Sequence, residues 1–262
     1  MIKVKIRKEI DKKKYLTLAV LTFVIIIAVW SLVSGLGLID TIFLPTPLSV
    51  IEYFIESVQN GVLMANMGIS IYRIMLGFLI AVILGVPIGI LAGTFKPFEA
   101  IVRPLSEFIR YMPVPAFVPL IMVWVGIGES AKVTVIFIGT FFQLVLMVAD
   151  DAKAVPDDLI NASYTLGTNT RTAITKVLIP AMMPRLMETL RMMVGWAWTY
   201  LVSAELVAAS SGLGYSILKA QRFVKTDAIF SGIIIIGLLG LITDRIFAMV
   251  NKKLFHWVEG GK

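Results

Sequence analysis

The sequence contains no cysteine. That excludes a disulfide framework, a thiolate metal site and a cysteine nucleophile. It holds one histidine, His256, beside Trp257 near the C-terminal end. A lone imidazole next to a tryptophan suits a membrane interface better than catalysis. No G-x-x-x-x-G-K-[ST] run is present, and the terminal Gly260-Gly261-Lys262 lacks its spacing, so the chain has no phosphate cradle of its own. H-E-x-x-H and G-x-S-x-G are missing too, which leaves an intramembrane hydrolase without zinc ligands or nucleophile. The expectation is a chain with no catalytic residue, no metal and no cofactor of its own.

Charge is scarce as well. Of 262 residues, 16% are charged and 58% hydrophobic, and the mean hydropathy is +0.89. Soluble domains average about 25% charged residues. So few charges could not cover so much apolar surface in water, whereas a bilayer removes the need. The class is therefore an all-α, polytopic membrane protein. The net charge of +7 does not point to nucleic acid, because the basic residues sit in the gaps between apolar runs.

A span needs ~20 mostly apolar residues. Six segments are expected to cross, at about 15–36, 69–92, 113–127, 133–149, 185–209 and 228–250. The third is short and broken by Pro113, Pro115 and Pro119, and its helix could begin nearer Leu105 in an interface. Pro47 and Ser49 could open a surface helix with Val50, Phe54, Ile55 and Val58 near one face. Gly85, Gly89 and Gly93 leave one stripe of the second span bare, which lets a neighbouring helix approach closely. No small-residue cleavage site follows the first run, so it reads as a retained anchor. With the N-terminus inside, 19 of the 24 Lys and Arg fall in inner segments and five (Arg73, Lys132, Lys219, Arg222, Lys225) in outer ones. That asymmetry supports an even number of spans with both termini cytoplasmic. The expected organisation is a basic cytoplasmic N-terminus (1–14), one transmembrane domain (15–252) with a cytoplasmic loop at about 151–184, and a cytoplasmic tail (253–262).

That loop is the most informative segment. Pro156 suits a first helical turn, and Asp157 and Asp158 suit the positive end of a helix dipole. Leu159, Ala162, Ser163 and Leu166 share a face, and Gly167 falls where a left-handed cap is expected. Thr168 or Thr170 could cap a second helix that ends at Pro180. A helix of about ten residues is marginal alone in water, so it needs a surface. Its own spans and a partner protein are equally good surfaces on these grounds.

The loop resembles the EAA loop of bacterial ABC-importer permeases: E-A-A, three residues, G, nine residues, I, one residue, L-P. Asn161-Ala162-Ser163 occupy the E-A-A places, Gly167 the glycine, Val177 the isoleucine, and Ile179-Pro180 the L-P. Asn161 lacks the usual carboxylate, and Ser163 replaces an alanine. Residues 103–132 and 204–217, and FLPTPLSV near the first span, are similar to permeases of the taurine, aliphatic sulfonate, nitrate and bicarbonate group. The resemblance implies a type I importer fold in the bacterial cytoplasmic (inner) membrane. It implies a dimer of usually identical copies, a cytoplasmic ATPase that holds ATP and Mg and grips the EAA helices, and an external solute-binding protein. A small oxyanion is the implied cargo, with a vitamin or pyrimidine precursor as the alternative. An ion-coupled secondary transporter would predict an inverted repeat and ion ligands, and neither is visible.

Residues expected to couple the chain to the ATPase are Leu159, Asn161, Ala162, Ser163, Leu166, Gly167, Val177, Ile179 and Pro180. Candidates for the pathway or gate are Pro113, Pro115 and Pro119, whose missing backbone donors favour a wet cavity or protein contact. Gln143 is a polar candidate within the fourth span. Trp198, with Trp196 and Tyr200, lines the pathway or packs between helices. Glu205, beside Gly212 and Gly214, either helps close an outer gate or sits at the interface. Arg185, Glu188 and Arg191, three apart, are expected to pair along one helix face or to anchor the interface.

Overall fold

The computed structural model describes residues 10–256, apart from the side chains of 207 and 208. The basic residues before position 10, Trp257 and the Gly260-Gly261-Lys262 end lie outside the described residues. Among the described residues every regular element is helical: α1 (Lys12–Gly35), α2 (Pro47–Gln59), α3 (Val62–Thr94), α4 (Lys96–Arg110), α5 (Val114–Val125), α6 (Glu129–Lys153), α7 (Asp157–Thr165), α8 (Thr170–Ala173), a π turn (Ile174–Leu178), α9 (Ile179–Ala208), α10 (Leu213–Arg222) and α11 (Thr226–Leu254).

α3 and α6 form the centre. The glycine stripe makes their approach possible: a Cβ on Gly89 would lie 2.6 Å from the Val148 Cβ, and one on Gly93 would lie 2.5 Å from the Ala149 carbonyl oxygen. Gly77 continues the stripe outward, against Ile136. Ile74, Phe78 and Ala81 of α3 then bury against Ile136, Leu144 and Val148 of α6. α9 packs on the far side of α6 through Met193, Val194, Ala197 and Leu201. α11 lies against α9, and Trp198 is buried between them, with its indole Nε1 donating to Thr243 Oγ1 at 3.0 Å. Trp198 therefore takes the packing role.

α1 stands apart. None of the residues in its most apolar 18-residue window is buried. Its tie to the rest is Trp30, which donates to the Pro45 carbonyl at 2.8 Å and stacks on Phe230. A helix apolar on all sides and so little covered by its own chain is suited to lipid.

α1, α3, α6 and α11 are each long and apolar enough to cross a membrane. α9 is as long, 30 residues or about 45 Å. Arg185, Glu188, Arg191 and Glu205 lower its hydropathy, and its neighbours bury much of it. The third expected span, 113–127, is the 12-residue α5, which meets α4 at a bend of 103°. Pro113 sits at the break as the N-cap of α5, and the amphipathic α4 was not visible as an apolar run. α2 forms where expected, capped by Thr46 Oγ1 accepting from the Ser49 N–H. Its buried residues are Val50 and Ser57, while Phe54, Ile55 and Val58 are exposed.

Candidate functional site

Three places bring the expected residues together, and the first is the turn after α7. Pro156 is the N-cap of α7, one position before the first turn, and Asp157 and Asp158 lie at its positive end. At the other end the Gly167 N–H donates to the Tyr164 carbonyl at 2.9 Å and the Thr168 N–H to the Ser163 carbonyl at 3.2 Å. These are the two bonds of a Schellman turn, with Gly167 at φ +82° in its left-handed position. Thr168 Oγ1 also donates to the Ser163 carbonyl.

The next cap is Asn169, whose Oδ1 accepts from the Thr172 N–H at 2.9 Å; Thr168 and Thr170 do not take that role. Nor does the helix end at Pro180. It runs from Thr170 through the π turn into α9, where Pro180 occupies the first turn. Pro180 cannot donate to the carbonyl of Lys176, and the wider π turn spans that place, so the missing bond does not end the helix.

Burial divides the coupling residues. Ser163 is buried, and Val177 and Ile179 are partly buried. Leu159, Asn161, Ala162, Gly167 and Pro180 are exposed, and Leu166 is 85% exposed at the tip.

The second place is a charge cluster at the far end of α6 and α9. Arg73 of α3 is fully buried. Its Nε and Nη2 donate to the two carboxylate oxygens of Glu129 at 2.6 and 2.7 Å. Its Nη1 donates to Glu205 Oε1 at 2.6 Å and to the Ser211 carbonyl at 2.7 Å. Lys132 donates to Glu129 at 2.8 Å. Glu205, also fully buried, accepts in addition from Ser70 Oγ at 2.8 Å and the Gly214 N–H at 2.7 Å. Asn66 Oδ1 accepts from the Gly212 N–H, and Ser70 Oγ from the Leu213 N–H.

The cluster ties α3, α6, α9 and the loop before α10 with two cations and two anions. Glu205 is thus neither a free carboxylate nor an interfacial one. Its partner Arg73 was missed, because the charge count placed it in an outer loop. The available signal was Asn66, Ser70, Arg73 and Gly77, three or four apart on one face of an apolar helix. Gly212, at φ +117°, is pressed on the same carboxylate: a Cβ there would lie 2.3 Å from Glu205 Oε1.

The third place is the elbow between α4 and α5. Pro113, Pro115 and Pro119 are all exposed on it. A cleft of about 240 Å³ opens there, lined by Arg110, Pro113 and Phe117 on one side and Gly139, Gln143 and Tyr200 on the other. Lower down, α4 is riveted to the end of α6 by Glu99 with Lys153 and Arg103 with Asp150. Arg185, Glu188 and Arg191 do not form one ladder: Arg185 reaches Asp151 at 3.2 Å, and Arg191 is held by both oxygens of Asp244 at 2.6 and 2.9 Å, with Glu188 at 3.5 Å.

The chain is similar to known proteins. Residues 85–256 match the family described as "Binding-protein-dependent transport system inner membrane component". The chain is 36% identical to a Bacillus subtilis (strain 168) protein named as an aliphatic sulfonates transport permease, over 96% of this chain and 92% of that one. It is 30% identical to the taurine transport system permease protein of Escherichia coli (strain K12), covering 93% and 90%. It is also 30% identical to the bicarbonate transport system permease protein of Synechococcus elongatus, covering 71% and 68%. The fold is similar to a chain of the MetNI methionine ABC transporter in an inward-facing conformation, with a TM-score of 0.62 at 20% identity, over 73% of this chain and 97% of that one. With such coverage the assignment is plain: the chain belongs to the family of inner membrane components of binding-protein-dependent transport systems, and is the non-catalytic permease of an ABC importer.

Proposed function

We propose that this permease imports a small oxyanion, of the sulfonate or bicarbonate kind, and that the α7–Gly167 turn couples it to a separate ATPase. The cargo follows the names of the relatives. The coupling role rests on one observation above the others: α7 and its turn present Leu159, Tyr164 and Leu166 to solvent while the Schellman turn holds them in a fixed geometry. A short helix with exposed leucines on a polar loop fits a groove on a partner. Asn161 removes the usual acidic contact there, so the apolar side chains carry the docking.

The family implies an ATPase and a solute-binding protein as partners. The finer reading is that ATP and Mg reside on that ATPase and that two copies of this chain form the pathway. The exposed Leu120, Val123 and Trp124 of α5 support a second copy against that helix. Both termini are cytoplasmic in this reading, which the charge asymmetry supports, and so is the 151–184 loop.

Gly167→Val tests the coupling. No neighbouring atom would meet a Cβ there, but a β-branched residue does not tolerate φ +82°. The variant is expected in the membrane at normal levels, with solute uptake and solute-stimulated ATP hydrolysis both lost. Co-purification with the ATPase and normal coupling in that variant would refute the assignment.

A further inference from the structure

We infer that the elbow cleft is an anion-binding site inside the permease, with Arg110 as its cationic residue and Gln143 as its neutral donor. This rests on the oxyanion reading above and adds a place where the solute pauses.

Depth is the first argument. Gln143 lies 14 residues from Glu129 and ten from Lys153 along α6. At the helical rise these are about 21 and about 15 Å, so the cleft sits near mid-height of the span. The contacts of α4 climb α6 to that level, from Glu99–Lys153, through Arg103–Asp150, to Arg110–Gln143 at 3.4 Å. Counting basic residues had put Arg110 among the inner anchors.

Pairing is the second. Arg73, Arg103, Arg185 and Arg191 each have a carboxylate within ion-pair distance. Among the described residues Arg110, Arg171, Arg222 and Arg245 have none, and of these Arg110 is the one that donates to a side chain of the spanning helix α6. Its Nη2 donates to the Tyr111 hydroxyl at 3.0 Å, and its guanidinium lies 4.8 Å over that ring. An arginine at membrane depth without a counter-ion is costly unless water or an anion meets it.

Shape and chemistry agree. Gln143 Oε1 accepts from Arg110, which leaves the amide –NH₂ free to donate. A guanidinium fork and an amide donor match the oxygens of a sulfonate or carboxylate. Phe117 and Phe142 supply apolar walls for a short carbon body. The volume equals that of about eight waters, enough for such an ion.

The absence of native cysteine makes a direct test simple. In the full transporter in membranes, Met112→Cys places one thiol on the cleft and keeps both proposed ligands. It is reacted with 2-sulfonatoethyl methanethiosulfonate or its trimethylammonium counterpart. In each case the thiolate displaces methanesulfinate and forms a mixed disulfide, read by mass on the permease. Rates are normalised to those with free cysteine. The anionic reagent, itself an organic sulfonate, is expected to be favoured by about tenfold or more, as for a cleft of one charge sign. Adding Arg110→Gln should bring the ratio to about one. Gln143→Cys serves as a second reporter if Met112→Cys does not assemble. A ratio near one with Arg110 present, a preference that survives Arg110→Gln, or no labelling by either reagent would each overturn the site. Retention of the ATPase by the same preparation distinguishes these failures from a failure of the permease reading, which would lose the ATPase as well.

Discussion

Replacing Gly212 with alanine would put a methyl group where the Glu205 carboxylate already is. The added carbon would lie 2.3–2.5 Å from all three atoms of that group, well inside any contact real atoms make. Gly212 cannot swing away freely, because its N–H is held by Asn66 and the next two N–H groups by Ser70 and Glu205. The carboxylate must therefore move. It then loses bonds from Arg73, Ser70 and Gly214 together. Disrupting a buried ion pair by disturbing one partner costs about 3–5 kcal/mol. The backbone at φ +117° and ψ +168°, a region almost confined to glycine, adds about 1–3 kcal/mol for a residue with a Cβ. The sum is roughly 4–8 kcal/mol, at the extreme of single substitutions.

At about 2–4 °C per kcal/mol for a chain of this size, the expected fall in Tm is at least roughly 8 °C. The assay is thermal aggregation of the detergent-solubilised permease, followed by size exclusion. Gly195→Ala is the matched control, since no neighbouring atom lies within 4 Å of a Cβ there and the helix gains. It should melt at or slightly above the parent temperature. A Gly212→Ala protein that melts within about 2 °C of the parent would refute the view that this loop is clamped on Glu205.

Two further substitutions probe other levels of the fold. Gly89→Val would push a branched side chain into the Val148 side chain and the Val145 carbonyl, at 2.6 and 2.8 Å even for the Cβ; the α3–α6 pair should fail to close, and the protein should be nearly absent from membranes by immunoblot, in contrast to Gly237→Ala, where the space is open. Asn169→Ala removes the cap on α8 and costs about 1 kcal/mol; limited proteolysis of inside-out vesicles should cut residues 166–172 several-fold faster, with the membrane core intact.

Part of the fold is legible from local signals in the sequence. The Gly85–Gly89–Gly93 stripe and the Gly167 turn each depend on residues a few positions apart, and helix geometry alone predicts what they do. Local rules fail where a longer element overrides them. Pro180 reads as a terminator, yet the wider π turn before it spans the carbonyl that its ring cannot bond, and the helix continues. α4 escaped because a search for apolar runs passes over a helix that carries Glu99, Arg103, Glu107 and Arg110 along one side. Asn169 caps α8 where its threonine neighbours do not, in keeping with asparagine's stronger capping preference.

The charge clusters were out of reach for a different reason. Arg73 meets Glu129 across 56 positions and Glu205 across 132. No periodicity links them, because the pairing is set by how α3, α6 and α9 pack.

Counting basic residues reads each one only as a marker of orientation, but Arg73 sits in a buried ion cluster and Arg110 lines the elbow cleft. Eighteen inner and four outer charges remain when both are set aside, so the asymmetry behind the proposed orientation survives. The two arginines also differ from each other. Arg73 is enclosed by carboxylates and has no capacity left for a ligand. Arg110 has an open cleft in front of it and a neutral amide beside it. A charge within a span must be neutralised by something. For Arg73 the protein supplies both counter-ions; Arg110, exposed on the cleft with a tyrosine hydroxyl and an amide as its partners, keeps donors that water or an incoming anion can take.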